Sequence, residues 1–153
     1  MRLIDVLNKD FVVLRLQASD MAGVLDELSA SAEAAGIASG DVIATQLMVR
    51  EESQATIVGP GVAIPHATVD GLSDTVLGVA LAPQGIQFGP EEYEPVRLFF
   101  VLLSPPGRER QHVRFLARIC RLSRDAAFAA QLDAAEDTGA VVQAVEAVDA
   151  THG

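Results

Sequence analysis

The run from Val96 to Leu103, Val-Arg-Leu-Phe-Phe-Val-Leu-Leu, constrains the fold of this chain more than any other segment. It is nearly continuous in apolar residues and lacks the polar alternation of a strand that has one face in solvent. The Ser-Pro-Pro-Gly sequence at 104–107 then ends it. We therefore predict a central β-strand at 96–103, covered by helices on both sides.

Strand and helix signals interleave along the rest of the chain without a clean alternation. Counting the central run, five strands are predicted, at 12–16, 55–58, 62–64, 75–81 and 96–103, with a tight turn at 59–61. Helical spacing and end signals predict five helices, from Ser19 to about Gly36 and at 39–50, 110–121, 125–132 and 138–148. This order predicts an α/β fold in which a mixed β-sheet of about five strands is sandwiched by helices.

The predicted helix at 110–121 contains the only cysteine of the chain. The spacing of Val113, Leu116, Ala117 and Cys120 predicts that these residues form the buried stripe of this helix. Cys120 is therefore expected to pack in the core. A single cysteine cannot form an internal disulfide, which fits a reducing cytoplasm.

Length, composition and charge narrow the possible functions. The 153 residues fit one domain that spans 1–153, and 50% of them are hydrophobic, as in a globular chain. No apolar run approaches the roughly 20 residues of a membrane span, and the N-terminus lacks a signal-peptide core. We expect a cytoplasmic protein without membrane insertion. The net charge of -10 disfavours nucleic acid as a partner and favours partners with a basic face.

Three histidines are candidates for chemistry. His152 is the penultimate residue and is expected to fray in solvent. Pro65 fixes the chain that enters His66, and Gly59 and Gly61 allow the backbone to approach an anion closely. A neutral imidazole at this position is a good nucleophile, and a partner on one ring nitrogen decides which nitrogen reacts. The alternative is a turn histidine whose ring binds a nearby carbonyl.

Two further residues could act together with His66. Arg50 ends a predicted helix, and its guanidinium could reach the ring and suits the oxygens of a phosphoryl group. Its spacing alone favours an arginine that only interacts with the helix dipole. His112 lies in the first turn of the 110–121 helix, where free backbone N–H groups favour an anion. The alternative for His112 is a half-buried side chain that packs on Leu116.

The sequence from Arg50 to Ala67 resembles the fructose/mannitol-type enzyme IIA domain of the bacterial phosphoenolpyruvate-dependent sugar phosphotransferase system. This family includes the nitrogen-regulatory IIA proteins. The Ile-Pro-His sequence at 64–66 is the most specific element when Arg50 stands upstream and His112 downstream. The resemblance extends to Leu-Ile-Asp-Val-Leu at 3–7, Pro-Val-Arg-Leu-Phe-Phe at 95–100 and Gln-His-Val-Arg-Phe-Leu-Ala at 111–117.

The resemblance implies the enzyme IIA fold and a role for each candidate residue. His66 matches the family's phosphorylated histidine, Arg50 its phosphate-facing arginine and His112 its second active-site histidine. The donor would be the histidine phosphocarrier HPr or its nitrogen-branch analogue. The other partner would be a cysteine on a separate IIB chain or a regulated target protein. No metal or other cofactor is implied, and a homodimer is one possible assembly.

Two functions share this predicted site. A free-standing regulatory IIA of the nitrogen type is favoured, because no IIB segment follows in the chain. A phosphocarrier for sugar uptake is the alternative. A third class is a metal-dependent hydrolase that uses His66, Asp70 and His112, although their spacing matches no compact zinc pattern.

Overall fold

The computed structural model describes residues 1–153 and contains a mixed β-sheet of six strands. The strands are β1 (Leu7–Val13), β2 (Ile57–Gly59), β3 (Val62–Ala63), β4 (His66–Thr68), β5 (Val76–Ile86) and β6 (Val96–Ser104). Five of them follow the order β1-β5-β6-β3-β2, and β4 also pairs with β6. The central strands β5 and β6 are antiparallel, whereas β1 pairs with β5, and β3 and β4 pair with β6, in parallel.

The strand β6 is buried on both faces, as the apolar run predicts. Its odd-numbered residues from Phe99 to Leu103 pack into one core, and its even-numbered residues from Leu98 to Leu102 pack into a second. Each large apolar side chain buried in this way contributes about 1.5–3 kcal/mol through the hydrophobic effect. The sheet therefore separates two cores, and the predicted α/β class is confirmed.

Five helices cover the two faces of the sheet. They are α1 (Met21–Ala34), α2 (Gly40–Ser53), α3 (Glu109–Leu122), α4 (Ala126–Asp133) and α5 (Thr138–Thr151). The helices α1 and α2 pack on the first core, and α3, α4 and α5 pack on the second. Gly36, with a φ of 76°, follows the end of α1 as predicted. None of these helices is long and apolar enough to cross a membrane.

The segment that carries the Ile-Pro-His sequence runs along β6. The strands β2 and β3 form a hairpin around the predicted turn, and Gly61 in that turn has a φ of 75°, which glycine adopts without strain. The strand β3 pairs with Leu98 and Phe99, and β4 pairs with residues 102–104 farther along β6. Pro65 lies between the two short strands and has no N–H to donate. The parallel alignment along β6 is therefore interrupted just before His66.

The first strand lies earlier in the chain than its sequence predicts. It spans Leu7–Val13 rather than 12–16. Lys9 and Asp10 are exposed within it, because β1 is an edge strand of the sheet. Charged residues are common on edge strands, where they prevent pairing with another chain. They break the apolar pattern from which the prediction was made.

The buried stripe predicted for α3 is wrong for Val113, which is 62% exposed, and for Ala117, which is also exposed. Leu116 and Cys120 are half-buried and pack against the second core, as expected for Cys120. The buried residues of this helix are Phe115, Arg118, Ile119 and Leu122. Apolar spacing alone assigned the wrong face because an arginine occupies a position on the true buried face.

Arg118 is buried because it forms an ion pair with Asp149 of α5. Nη2 of Arg118 lies 2.8 Å from Oδ1 of Asp149. The same carboxylate accepts hydrogen bonds from the backbone N–H groups of Leu3 and Ile4, at 3.0 and 2.8 Å. A buried ion pair persists only when further hydrogen bonds satisfy its charged groups. This one ties the first residues of the chain to α3 and α5.

Candidate functional site

The three predicted site residues come together beside β4. Arg50 lies in the last turn of α2, His66 begins β4, and His112 lies in the first turn of α3. Because α2 and α3 cover opposite faces of the sheet, β4 lies where the two helical layers meet. The fold thus brings an arginine and a second histidine, both distant in sequence, to the half-buried ring of His66.

His66 lies in a strand rather than in the turn that its sequence predicts. It pairs with Leu102, and a strand of three residues is too short to produce a readable apolar period. Its Nδ1 donates to the carbonyl of Ile64 at 2.7 Å, and its Nε2 accepts from Nε of Arg50 at 3.2 Å. An arginine nitrogen only donates, so the ring proton is on Nδ1 and the lone pair is on Nε2. Nε2 is therefore the nitrogen that can react.

Arg50 makes both of the interactions considered from its sequence position, one with the end of the helix and one with the ring of His66. Its Nη1 donates to the carbonyl of Gln54 at 2.8 Å, at the C-terminal end of α2, where a cation is favoured. Its Nε donates to the ring of His66. The guanidinium is held between the helix end and the imidazole, and its remaining donors suit the oxygens of a phosphoryl group on Nε2.

A buried carboxylate fixes the end of α2. Glu51 accepts hydrogen bonds from the backbone N–H and the hydroxyl of Thr56, at 2.7 and 2.8 Å. Burial raises the pKa of Glu51, and the two bonds from Thr56 oppose that shift. The carbonyl of Thr56 accepts from the N–H of Ile64 at 2.9 Å, and the carbonyl of Ile64 binds His66. These bonds fix the helix end that carries Arg50 relative to the ring.

His112 is held by a pair of hydroxyl groups that the sequence analysis does not identify. Its ring centre lies 5.5 Å from that of His66, and its Nδ1 lies 2.7 Å from Oγ of Ser104. Oγ1 of Thr75 lies 3.1 Å from both Oγ of Ser104 and Oε1 of Gln111. The hydroxyl of Thr75 has one proton, which it donates either to Gln111 or to Ser104. When Thr75 donates to Ser104, the serine hydroxyl is left to donate to Nδ1. The proton of a neutral His112 is then on Nε2.

Both rings are neutral at pH 7. Burial is the main cause that lowers the pKa of His66 below 6.5, and the charge of Arg50 lowers it further. Burial and the neighbouring His66 lower the pKa of His112 to about 4, against a smaller opposite effect of Glu109. His66 therefore keeps a lone pair for nucleophilic attack, and His112 can offer one N–H to an anion.

The remaining candidates from the sequence do not join this cluster. No three His, Cys, Asp or Glu side chains form a group that could hold a metal ion, so Asp70 does not complete a ligand set with His66 and His112. His152 is exposed, as predicted, and its Nε2 lies 2.8 Å from Oδ2 of Asp125. That contact links the end of α5 to the start of α4.

The comparison with known families assigns this chain to one class. The family model described as phosphoenolpyruvate-dependent sugar phosphotransferase system, EIIA 2, matches residues 5–148. The chain therefore belongs to this family of enzyme IIA domains, and the resemblance found in its sequence is confirmed.

Relatives of both the nitrogen and the sugar branches are similar to this chain. A nitrogen regulatory protein of Bradyrhizobium diazoefficiens is 32% identical over 151 residues, which cover 99% of each chain. Nitrogen regulatory protein IIA-Ntr from Neisseria meningitidis has a TM-score of 0.84 at 21% identity, over 93% of this chain and 97% of that one. Mannitol enzyme IIA of Escherichia coli, solved in complex with phosphorylated enzyme IIB, has a TM-score of 0.76 at 16% identity, over 92% and 96%. These structures confirm the fold.

Proposed function

We propose that this chain is a histidine phosphocarrier that accepts a phosphoryl group on Nε2 of His66 and acts as a regulatory IIA protein of the nitrogen type. The observation that carries the proposal is the pair of hydrogen bonds on the ring of His66. Ile64 holds the proton on Nδ1, and Nε of Arg50 donates to the lone pair of Nε2 at 3.2 Å. A nucleophile and a cation for the transferred group are thus already placed together.

The transfer needs no metal and no net change of protons on His66. The lone pair of Nε2 attacks the phosphorus of a phosphohistidine on HPr or its nitrogen-branch analogue. As the new N–P bond forms, the donor's N–P bond breaks and its electron pair returns to the donor imidazole. Attacking and leaving nitrogens lie in line across a metaphosphate-like phosphorus, so the protein contributes position and charge.

Arg50 and His112 stabilise the transferred group in this mechanism. In the unphosphorylated protein, Nε of Arg50 occupies the direction in which the N–P bond forms. The guanidinium therefore moves from the lone pair to the phosphoryl oxygens as the bond forms, and it neutralises their charge. In the tautomer in which Ser104 donates to Nδ1, His112 donates its Nε2–H to the same oxygens.

The regulatory role is favoured over a role in sugar uptake by the similarity to a nitrogen regulatory protein along 99% of both chains. In that role, the phosphorylation state of His66 would control the binding of a target protein. The alternative is a IIA component of a fructose/mannitol-type uptake system that passes the phosphoryl group to the cysteine of a separate IIB chain. The solved complex of mannitol IIA with phosphorylated IIB supports this alternative for the fold.

The test is phosphorylation of the purified chain by phosphoenolpyruvate, enzyme I and either HPr or its nitrogen-branch analogue, followed by intact mass. We expect one acid-labile phosphoryl group in the parent and in His152→Ala, and none in His66→Ala. Thermal unfolding of His66→Ala must remain cooperative, since otherwise the loss reflects a structural role of the ring. A phosphoryl group that persists in His66→Ala, or its absence with both donors, would contradict the proposal.

A second measurement separates the two roles. The phosphorylated chain is incubated with a fructose-type or mannitol-type IIB domain, and with the same domain after Cys→Ser replacement of its acceptor. Rapid transfer that requires the IIB cysteine would favour sugar uptake. Retention of the phosphoryl group on His66 is the result expected for a regulatory protein.

A further inference from the structure

Positive charge is concentrated in one short part of this acidic chain. Residues 108–124 contain six of the 11 basic residues and one of the 21 acidic residues. The segment therefore has a formal charge of +5, six less one, and the remainder has -15, five less twenty. All six basic residues of the segment are arginine, and the whole chain contains one lysine. Arginine binds carboxylates through two donors and is enriched at protein interfaces, whereas lysine is depleted there.

These arginines form a stripe on the outer face of α3. Arg110, Arg114 and Arg121 are exposed and are spaced by four and seven residues, which returns to the same side of a helix. Ala117 lies between them, and the exposed Arg124 follows just after the helix. The four exposed arginines are called the arginine stripe below. At 1.5 Å per residue, the part on the helix is about 17 Å long.

No carboxylate of the chain neutralises the arginine stripe. The ion pairs of the segment are made by its two other arginines, Arg108 with Asp74 and Arg118 with the buried Asp149. No ion pair of the structure includes a residue of the stripe. The positive surface is therefore available to a partner.

The surface beside the arginine stripe suits a protein better than a polyanion. Val113 is 62% exposed next to Arg114, and together with Ala117 it gives the stripe an apolar margin that the side chains of a protein can cover. A long polyanion such as DNA, or an anionic membrane, would also meet the charge of -15 on the rest of the chain. A compact acidic patch avoids that repulsion.

We propose that the arginine stripe is a docking surface for a protein that presents a compact patch of carboxylates. Charge complementarity and the apolar margin would set its orientation. His112 is on the same helix, but its ring is turned toward the sheet, where it binds Ser104. The stripe lies on the opposite side of α3 from Phe115 and Ile119, which are buried in the second core. A partner on the stripe therefore leaves the ring of His66 free to react.

The probe is a fluorescein-labelled helical peptide whose glutamates have the same spacing as the arginine stripe, and its binding is followed by anisotropy. The variant Arg114→Glu/Arg121→Glu should weaken binding by about tenfold or more. The matched control Lys9→Glu/Arg15→Glu changes the net charge equally at two other exposed positions and should weaken it by less than about twofold. Binding to the parent should fall as salt is added. Arg114→Gln/Arg121→Gln provides a second variant if the charge reversal impairs folding.

Equal losses in the stripe variant and the control would overturn the proposal, because the peptide would then respond to net charge alone. Absence of peptide binding at low salt would overturn it as well. A DNA duplex or a phosphatidylglycerol vesicle that binds more tightly than the peptide, and is lost in the same variant, would replace a protein partner with a polyanion. All measurements use the unphosphorylated chain, so they do not depend on the function of His66.

Discussion

Replacement of Ser104 by alanine tests how the second histidine of the site is held. Ser104 is 1% exposed, and its hydroxyl is the protein partner of Nδ1 of His112, at 2.7 Å. Without that hydroxyl, neither the tautomer nor the orientation of the ring is fixed. The variant should therefore transfer the phosphoryl group more slowly although His66 and Arg50 are unchanged.

The expected loss of stability in Ser104→Ala follows from the hydrogen-bond partners that remain for Thr75 and His112. Thr75 still reaches Oε1 of Gln111 at 3.1 Å, and the half-buried ring of His112 is open to water. The cost in the free energy of unfolding should thus be about 1 kcal/mol, the lower end of the range for a lost buried hydrogen bond. An equal loss of about 1 kcal/mol from the stabilisation of the transition state slows transfer by roughly fivefold, since about 1.4 kcal/mol is a factor of ten.

The assay is a double-mutant cycle on single-turnover transfer from the phosphorylated donor. Parent, Ser104→Ala, His112→Ala and the double variant are compared. If Ser104 acts through His112, its loss has no further effect once His112 is alanine. The ¹⁵N chemical shifts of the His112 ring report the tautomer independently. The matched control Thr75→Val removes the neighbouring hydroxyl but leaves Ser104 in contact with Nδ1, so it should slow transfer less.

A fully additive cycle would refute this reasoning, because the serine would then act without the histidine. Unchanged ring ¹⁵N shifts in Ser104→Ala would refute it by a different route. In that case water alone would be sufficient to fix the tautomer, and the hydroxyl pair would only fill space between β6 and α3.

Three further predictions follow from the site and the core. Arg50→Ala should slow transfer about 100-fold in stopped-flow measurements, because it removes the cation beside Nε2. Donor docking, measured by calorimetry, should weaken by a smaller factor. Equal transfer rates in the variant and the parent would exclude Arg50 from the mechanism. Because the pKa of His66 is lowered below 6.5, its neutral ring persists as the pH falls through 7. The rate at which His66 accepts the phosphoryl group should therefore decline only at more acidic pH. A decline centred above pH 6.5 would contradict the argument that burial lowers this pKa. Asp149→Asn should lower the free energy of unfolding in urea by about 3–5 kcal/mol, because it leaves the buried Arg118 without its charged partner. The control is Asp5→Asn, which changes an exposed ion pair. A loss of stability no larger than that of the control would contradict the prediction.

The strands and helices were predictable where one physical signal dominates. The uninterrupted apolar run of β6 identifies a strand buried on both faces, and the structure places it at the centre of the sheet. Gly36 and the turn around Gly61 are found where the sequence predicts a helix end and a tight turn. The signal fails for β1, whose polar residues lie on an edge strand, and for β4, which is too short to show a period.

The candidate residues were predictable, but their hydrogen bonds were not. Arg50, His66 and His112 each lie beside a local signal, namely a helix end, a proline or a helix start. For Arg50 that signal alone favoured a helix-dipole interaction, and the resemblance to the enzyme IIA family supplied the three roles. Ser104 and Thr75 carry no such signal, since their role depends on two strands and a helix meeting in space. The one available sign was a polar residue at the end of an apolar strand, and that sign is also common in strands without any function.

The two groups beside His66 are held by separate supports on opposite faces of the sheet. Arg50 is fixed through Glu51 and Thr56, at the end of α2. His112 is fixed through Ser104, at the end of β6. On β4, Nε2 of His66 accepts from Arg50, and the ring centre of His66 lies 5.5 Å from that of His112. Substitutions that remove these hydrogen bonds would shift Arg50 or His112 but leave His66 in place. They should therefore slow transfer without removing Nε2 of His66.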